Sequence, residues 1–356
     1  MGWCQPARQG RALSNPSTGK GEKYTMKTLL TQIGLGVAVL LPLTAVAAEP
    51  HPDMPSPELR PAPSIQALVV TKASVYAGSF GLGVFRSDNQ GKDWTAANDG
   101  LGDRFILSLV EAKSGTLYAG TLRGGVFRSV NGGRHWQAVN DGLMRRQIKV
   151  LFVDDQDLYA GTGGGVYRLA AGTSSWVEVT KGLDQTVVHA LAMDADRTLF
   201  AGTAAKGVQR FKANGAQWIR MPAQGLKDHE GMTENFIRAL VIGRERVLYA
   251  GTFDGGVFLS RDSGGTWRPI SRALPNDSIR GIISGETGLL VATGRGIYKS
   301  INDGGQWIPL NAGLTELSVQ VLASGGGVLY AGTSAGAFRS DDGGQHWVNI
   351  SQGLSE

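Results

Sequence analysis

From residue 64 onward the chain alternates short apolar runs with turns rich in glycine, aspartate and asparagine. One stretch reads Ile237–Ile242, Leu248–Thr252, Val257–Ser260 and Trp267–Ile270, each run four to six residues long. Runs of this length, rich in β-branched and aromatic residues and punctuated by turn formers, predict strands rather than helices. The whole four-run phrase then recurs: LYAGT, GGVFRS, a glycine-rich turn ending in tryptophan, and a polar loop ending in Gly-Leu. Its tryptophans are Trp94, Trp136, Trp176, Trp218, Trp267, Trp307 and Trp347, spaced by 42, 40, 42, 49, 40 and 40 residues.

Four strands in about 40 residues make one blade of a β-propeller. The expected fold is therefore all-β, a seven-bladed propeller of four-stranded antiparallel blades spanning residues 64–356. A linear array would need atypical capping units at its ends. The first and last repeats here resemble the others, so a closed ring is the better reading. Blades and repeats are in phase, because the first unit opens on an innermost strand at Ser64–Val70 and the last ends on an outermost one at Trp347–Ile350. No strand exchange is then expected to lock the ring, which leaves the segment 49–63 or plain apolar packing to seal blade seven to blade one.

Composition supports this reading and bounds the rest. With 52 glycines in 356 residues long helices are not expected, and 42% hydrophobic content is enough for a large core. The single cysteine, Cys4, excludes a disulfide scaffold and a cysteine-based zinc site. Upstream of the repeats, Met26-Lys27 begins a basic stretch, and the apolar run Ile33–Ala48 ends in small residues at Ala45 and Ala47. That is the pattern of a secretory signal peptide over 26–47, with an uncleaved anchor as the alternative. Residues 1–25 then read as a mis-called start, and 48–63 as a proline-rich tether. Cleavage after Ala47 leaves 30 basic and 29 acidic side chains, so the formal charge of +5 falls to about +1. Net charge gives no case for nucleic-acid binding, and the expected location is periplasmic or secreted.

Before five of the tryptophans the turn follows Ser-x-Asp/Asn-x-Gly-x-x-Trp: Ser87-Asn89-Gly91-Trp94, Ser129-Asn131-Gly133-Trp136, Ser260-Asp262-Gly264-Trp267, Ser300-Asn302-Gly304-Trp307 and Ser340-Asp342-Gly344-Trp347. Leu169–Trp176 and Phe211–Trp218 keep the tryptophan and lose the Ser and Asp positions. The pattern resembles the BNR or Asp-box repeat of sialidases, xyloglucanases, sortilin-type receptors and the photosystem II assembly-factor family, and it covers residues 64–354. The compact phrasing and single ring look most like the bacterial assembly-factor-like propellers. That resemblance implies a non-enzymatic scaffold for subunits of a membrane complex. Asp or Asn bonding its own backbone, Gly in the left-handed region and Trp packed between sheets account for the box structurally; surface calcium binding is the alternative.

Candidate binding residues come from aligning the innermost strands. With these strands aligned on their shared Leu or Ile, the residue two positions earlier is Gln66, Leu107, Lys149, His189, Arg238, Arg280 and Gln320, and repeat symmetry places these near one end of the channel. Lys149, His189, Arg238 and Arg280 come from consecutive blades and would favour an anionic partner, with Arg123, Arg145, Arg146 and Arg295 in nearby rim loops widening the patch. Polar strand starts at any solvated mouth would give a similar pattern. The longest blade connection, Leu226–Phe236, adds Asp228, His229, Glu230, Met232 and Glu234, as either a docking loop or an ordinary insertion.

Enzymatic readings find less support. A glycosidase needs two carboxylates across one cleft, and Asp254 with Asp103, Asp141, Asp184, Asp228 or Asp277 leaves the choice too free. No phosphate loop and no His-Glu-x-x-His pair occurs, and His51, His135, His189, His229 and His346 are scattered. The expectation is an exported, monomeric, protein-binding scaffold of a cell-envelope complex, with no cofactor, metal or nucleic acid. The alternative is a hydrolase or carbohydrate-binding propeller using Phe80 and Phe253 as stacking platforms.

Overall fold

The computed structural model describes residues 62–154, 157–183, 185–212, 217–221, 236–276, 278–285 and 288–355. They form seven four-stranded antiparallel sheets, each made of four strands consecutive in sequence. The innermost strands are Ile65–Val70, Ile106–Glu111, Ile148–Val153, Val188–Met193, Ile237–Ile242, Ile279–Gly285 and Val319–Gly325. Each packs beside the next, and the seventh packs beside the first, closing the ring. Among the described residues the one helical element is a single 3-10 turn, Arg244–Arg246, and no helix is long and apolar enough to cross a membrane.

Six of the seven repeat tryptophans hook one blade to the next, while the buried Trp267 Nε1 has no hydrogen-bond partner among the described residues. Trp136 is 1% exposed, and its Nε1 donates to the Ala97 carbonyl of the preceding blade at 2.8 Å. Trp176, Trp218, Trp307 and Trp347 repeat the bond onto Val139, Val179, Ile270 and Leu310. The ring closes in the same way: Trp94 donates to the Ile350 carbonyl at 2.7 Å, and Ile65, Leu68 and Phe85 pack with Tyr330, Ala337 and Leu354. Both suspected seals contribute, because the Pro63 carbonyl also accepts the Gly336 N–H at 3.0 Å.

In four blades the turn before the tryptophan is a hydrogen-bonded clasp. Ser129 Oγ accepts the Gly133 N–H and donates to Asn131 Oδ1, which accepts the His135 N–H; Gly133 sits at φ 80°. Ser87-Asn89-Gly91, Ser260-Asp262-Gly264 and Ser340-Asp342-Gly344 repeat this network. The backbone N–H of Thr266 and that of His346 hold the Asp262 and Asp342 carboxyls below the usual range, so both are acceptors locked into a turn. Blade six departs from the pattern: Ser300 still accepts from Gly304, but Asn302 itself takes a positive φ of 56°. In blade three, where Ser and Asp are missing, the buried Asp157 on the second strand receives Arg168 Nε at 2.8 Å and the Ala171 N–H at 3.2 Å. A carboxylate from a neighbouring strand thus steadies that turn.

Blade four carries one local conflict. Its third strand, Val208–Lys212, places Gln209 where the other blades have Phe85, Phe127, Tyr167, Phe258, Tyr298 and Phe338. Gln209 is 1% exposed and neither amide atom has a hydrogen-bond partner. A buried unpaired amide costs about 1–3 kcal/mol. Gln209→Phe is therefore expected to raise the urea midpoint, by an amount equivalent to about 1–3 kcal/mol; an unchanged or lower midpoint would mean that the amide is satisfied in solution.

Candidate functional site

All seven residues aligned from the sequence occupy one structural position. Pairing of the innermost strand with the second slips between Ile65 and Ala67, Ile106 and Ser108, Ile148 and Val150, Val188 and Ala190, Ile237 and Ala239, Ile279 and Gly281, and Val319 and Val321. Gln66, Leu107, Lys149, His189, Arg238, Arg280 and Gln320 are the extra residues of these seven bulges. A bulge leaves its residue out of the ladder and re-aims its side chain. Repetition around the ring sets the seven side chains in a circle at the end of the channel where the innermost strands begin, and all are half-buried.

The charged members of the circle interact. Burial, with the nearby charges of Lys149 and Arg238, pushes the His189 pKa down to about 4, so its imidazole is neutral at ordinary pH. Burial also lowers Lys149 and Arg238, the latter with Arg280 adding repulsion. Arg280 Nη1 donates to Ser318 Oγ at 2.8 Å, while its buried Nε has no partner. Gln320 turns to the same Ser318 hydroxyl at 3.3 Å, and Gln66 donates to Ser64 Oγ at 2.8 Å. The mouth's positive charge thus comes from Lys149, Arg238 and Arg280.

Aromatic rings flank this circle. Phe236 lies 4.7 Å from the His189 ring and stacks on Phe253 at 5.4 Å and 12°, with the Arg238 guanidinium 5.5 Å from the Phe253 centroid. A second group joins Phe80 edge-on to Phe105 at 4.9 Å, with Arg123 over the Phe105 ring at 4.7 Å. Phe105 and Phe236 went unremarked in the sequence reading. Their signal was available, since each directly precedes the first Ile of an innermost strand, where the other blades have Ser64, Gln147, Val187, Ser278 and Ser318.

The two rims differ in how their cations are paired. On the mouth rim Arg145, Arg146 and Arg295 are exposed, and neither they nor Arg123, Lys149, Arg238 and Arg280 make an ion pair among the described residues. Exposed apolar side chains accompany them: Phe80, Met144, Phe253 and Leu317. On the opposite rim three arginines are matched, Arg197 with Asp154, Arg246 with Asp196, and Arg261 with Asp303, while Lys72, Lys92 and Arg134 are exposed there and make no ion pair among the described residues. A concavity of about 960 Å³ between blades five and six opens there and holds the Arg261–Asp303 pair. Arg261, shared there between Asp303 and Glu245, is less open to a ligand than the mouth cations.

Of the candidate carboxylates, Asp103 is committed to the loops around it. Burial pulls Asp103 upward, but the Phe105, Arg123 and Gly124 N–H groups outweigh it and hold the carboxyl below its usual range as a loop clasp. Asp184, Asp228, Asp277, His229, Glu230, Met232 and Glu234 lie outside the described residues, as do the signal segment and most of the tether. One Gly-x-Ser-x-Gly string, Gly332–Gly336, escaped the sequence reading. It is a strand-to-strand turn rather than a nucleophile elbow, with Thr333 Oγ1 donating to the Gly336 carbonyl and the Ser334 N–H to the Ser318 carbonyl. Among the described residues no three His, Cys, Asp or Glu side chains gather as a metal site requires.

Comparison with known proteins places this ring. The model of one family, the DUF6242 beta propeller domain, matches residues 59–293. The chain belongs to that family. The DUF6242-type ring is also similar to an ancestral GH74 enzyme, at 18% identity and TM-score 0.66 over 82% of this chain and 47% of that one. It is similar to the extracellular domain of a putative hybrid two component system from B. thetaiotaomicron, at 17% identity and TM-score 0.65 over 78% of this chain and 38% of that one. A third likeness is to PorZ, a surface component of the type-IX secretion system of Porphyromonas gingivalis, at 14% identity and TM-score 0.60 over 81% and 38%. The DUF6242-type chain thus spans less than half of each of these proteins, and at such identities the likeness shows the fold alone. No curated protein matches it in sequence.

Proposed function

We propose that this DUF6242-type propeller is an exported, non-enzymatic scaffold that binds a protein partner in the cell envelope and aids the assembly or stability of a membrane complex. On this reading it belongs with the Asp-box propellers, close to the assembly-factor-like group, and works in the periplasm or outside the cell after cleavage behind Ala47. The observation that carries it is the joint presence, on the mouth rim, of cations outside ion pairs and exposed apolar side chains. Arg123, Arg145, Arg146, Arg295, Lys149, Arg238 and Arg280, none in an ion pair among the described residues, share the mouth rim with exposed Phe80, Met144, Phe253 and Leu317, whereas Arg197, Arg246 and Arg261 on the opposite rim are each paired with a carboxylate. Apolar side chains ringed by unmatched charge mark association surfaces, and a rigid ring loses little entropy on binding. PorZ, a propeller-containing surface component, offers a precedent for the fold in such work.

The second reading is carbohydrate binding, favoured by the exposed Phe80 and Phe253 rings and by the fold shared with a GH74 enzyme. Cross-linking of the tagged mature protein in its own host separates the two. A reproducible envelope partner is expected, and Met144→Glu combined with Arg145→Glu should cut its recovery about tenfold, while Arg261→Glu on the opposite rim leaves it unchanged. Recovery insensitive to the mouth rim, or retention of cell-wall polysaccharide in place of a protein, would overturn the scaffold reading.

A further inference from the structure

Resting on that assignment of the mouth rim, we propose a specific pocket within it. Arg238 and Arg280 grip the carboxylate of an acidic peptide, and the Phe236–Phe253 stack receives the apolar side chain beside it. The geometry that points to this lies on consecutive blades. Blade five supplies the two stacked rings and the Arg238 guanidinium; blade six supplies Arg280; blades three and four supply Lys149 and His189.

Each group is held in place but retains donors for a ligand. The Ser318 hydroxyl fixes one end of the Arg280 fork at 2.8 Å, while its Nε is buried without a partner. A guanidinium has five N–H donors, so Arg280 can still bind a carboxylate in bidentate fashion. Arg238 lies against the Phe253 ring and makes no hydrogen bond to a described side chain. Glu316, whose charge acts on Arg280, accepts the Ser318 N–H at 2.6 Å. His189 is neutral here, so it contributes a hydrogen-bonding ring and a wall against Phe236 rather than charge.

The aromatic wall decides between anions. Phosphate would use the guanidinium groups and Lys149 but leave the rings without an occupant. Phe253 is 40% exposed, and covering it requires an apolar or planar group within one residue of the anion. A peptide with alternating glutamate and phenylalanine supplies both.

Calorimetry on the mature protein with an acetylated Glu-Phe hexapeptide tests the pocket. Binding is expected, weaker by about tenfold or more for the Gln-Phe peptide, for Arg238→Gln, for Arg280→Gln and for Phe253→Ala, and unchanged for Arg261→Gln on the far rim. Because the arginine variants disturb half-buried positions, ring signals of labelled His189 in the unaltered protein provide a second readout, and they should shift on addition of the peptide. Equal binding of the Gln-Phe peptide, an undisturbed His189, or inorganic phosphate or oligogalacturonate binding as tightly with the same arginine dependence would overturn the pocket. Its failure is separable from failure of the scaffold reading. Partner recovery that still depends on Met144 and Arg145 would leave the scaffold standing, and peptide binding without any envelope partner would leave only the pocket.

Discussion

Trp136→Ala is expected to lower the stability of the ring by about 3–5 kcal/mol, the range for removing a fully buried large aromatic side chain. Trp136 is 1% exposed and packs with Tyr76, Leu101, Leu117 and Phe127, drawing on both blade one and blade two. The change removes the filler of an interface and leaves the Ala97 carbonyl without the indole N–H that meets it at 2.8 Å. Trp136→Phe separates these contributions, because it keeps much of the apolar contact and loses the hydrogen bond; a cost of about 1–2 kcal/mol is expected. Urea unfolding followed by circular dichroism measures both. A cost below about 1 kcal/mol for Trp136→Ala would show that the hook does not hold the blades together and that innermost-strand packing suffices. In a closed ring one weakened interface should lower a single transition, whereas a ring already open between blades one and two would show two.

What the sequence disclosed followed from its periodicity. Blade number, strand order and phase came from the tryptophan spacing, and the in-phase ends predicted a ring without strand exchange, as the sheet order shows. The circle of mouth residues also came from alignment, but its mechanism did not. That Gln66, Lys149, His189, Arg238, Arg280 and Gln320 are bulge residues depends on strand register, and register is a relation between two strands that neither run declares alone. The seal between blades seven and one was undecided for a similar reason. A Trp94–Ile350 hydrogen bond joins residues 256 positions apart. Compensation was equally hidden: Asp157 steadies the blade-three turn from an adjacent strand, at a position that reads in sequence as the polar start of a strand. The difference between the rims appeared only once pairing was known, since matched and unmatched arginines look alike in a sequence.

Gly120→Val is expected to destabilise the ring by about 3 kcal/mol, at the upper end of the usual cost of overpacking. The glycine of the LYAGT phrase looks like a turn residue, yet Gly120 lies inside a strand, Leu117–Thr121, where a backbone needing positive φ is not the reason for it. Its role is close approach. A Cβ there would sit 2.5 Å from Ile148 Cγ2 and 3.2 Å from Leu151 Cγ, both on the innermost strand of the next blade. Gly78 meets Ile106 and Gly202 meets Ile237 in the same way, so the glycine sets how tightly successive blades nest. Blade six is the natural exception. Ala292 occupies the glycine position, its strand partner is Gly281, and the next blade offers the smaller Val319 rather than isoleucine. The methyl group gained on one strand is thus offset by side-chain volume lost from its two neighbours. That arrangement predicts the suppressor: Ile148→Ala, destabilising alone because it leaves a cavity, should recover at least half of the Gly120→Val loss when the two are combined. A double variant whose urea midpoint falls by the sum of the single losses would mean that the two side chains do not compete for one space, and that the glycine is there for some other reason.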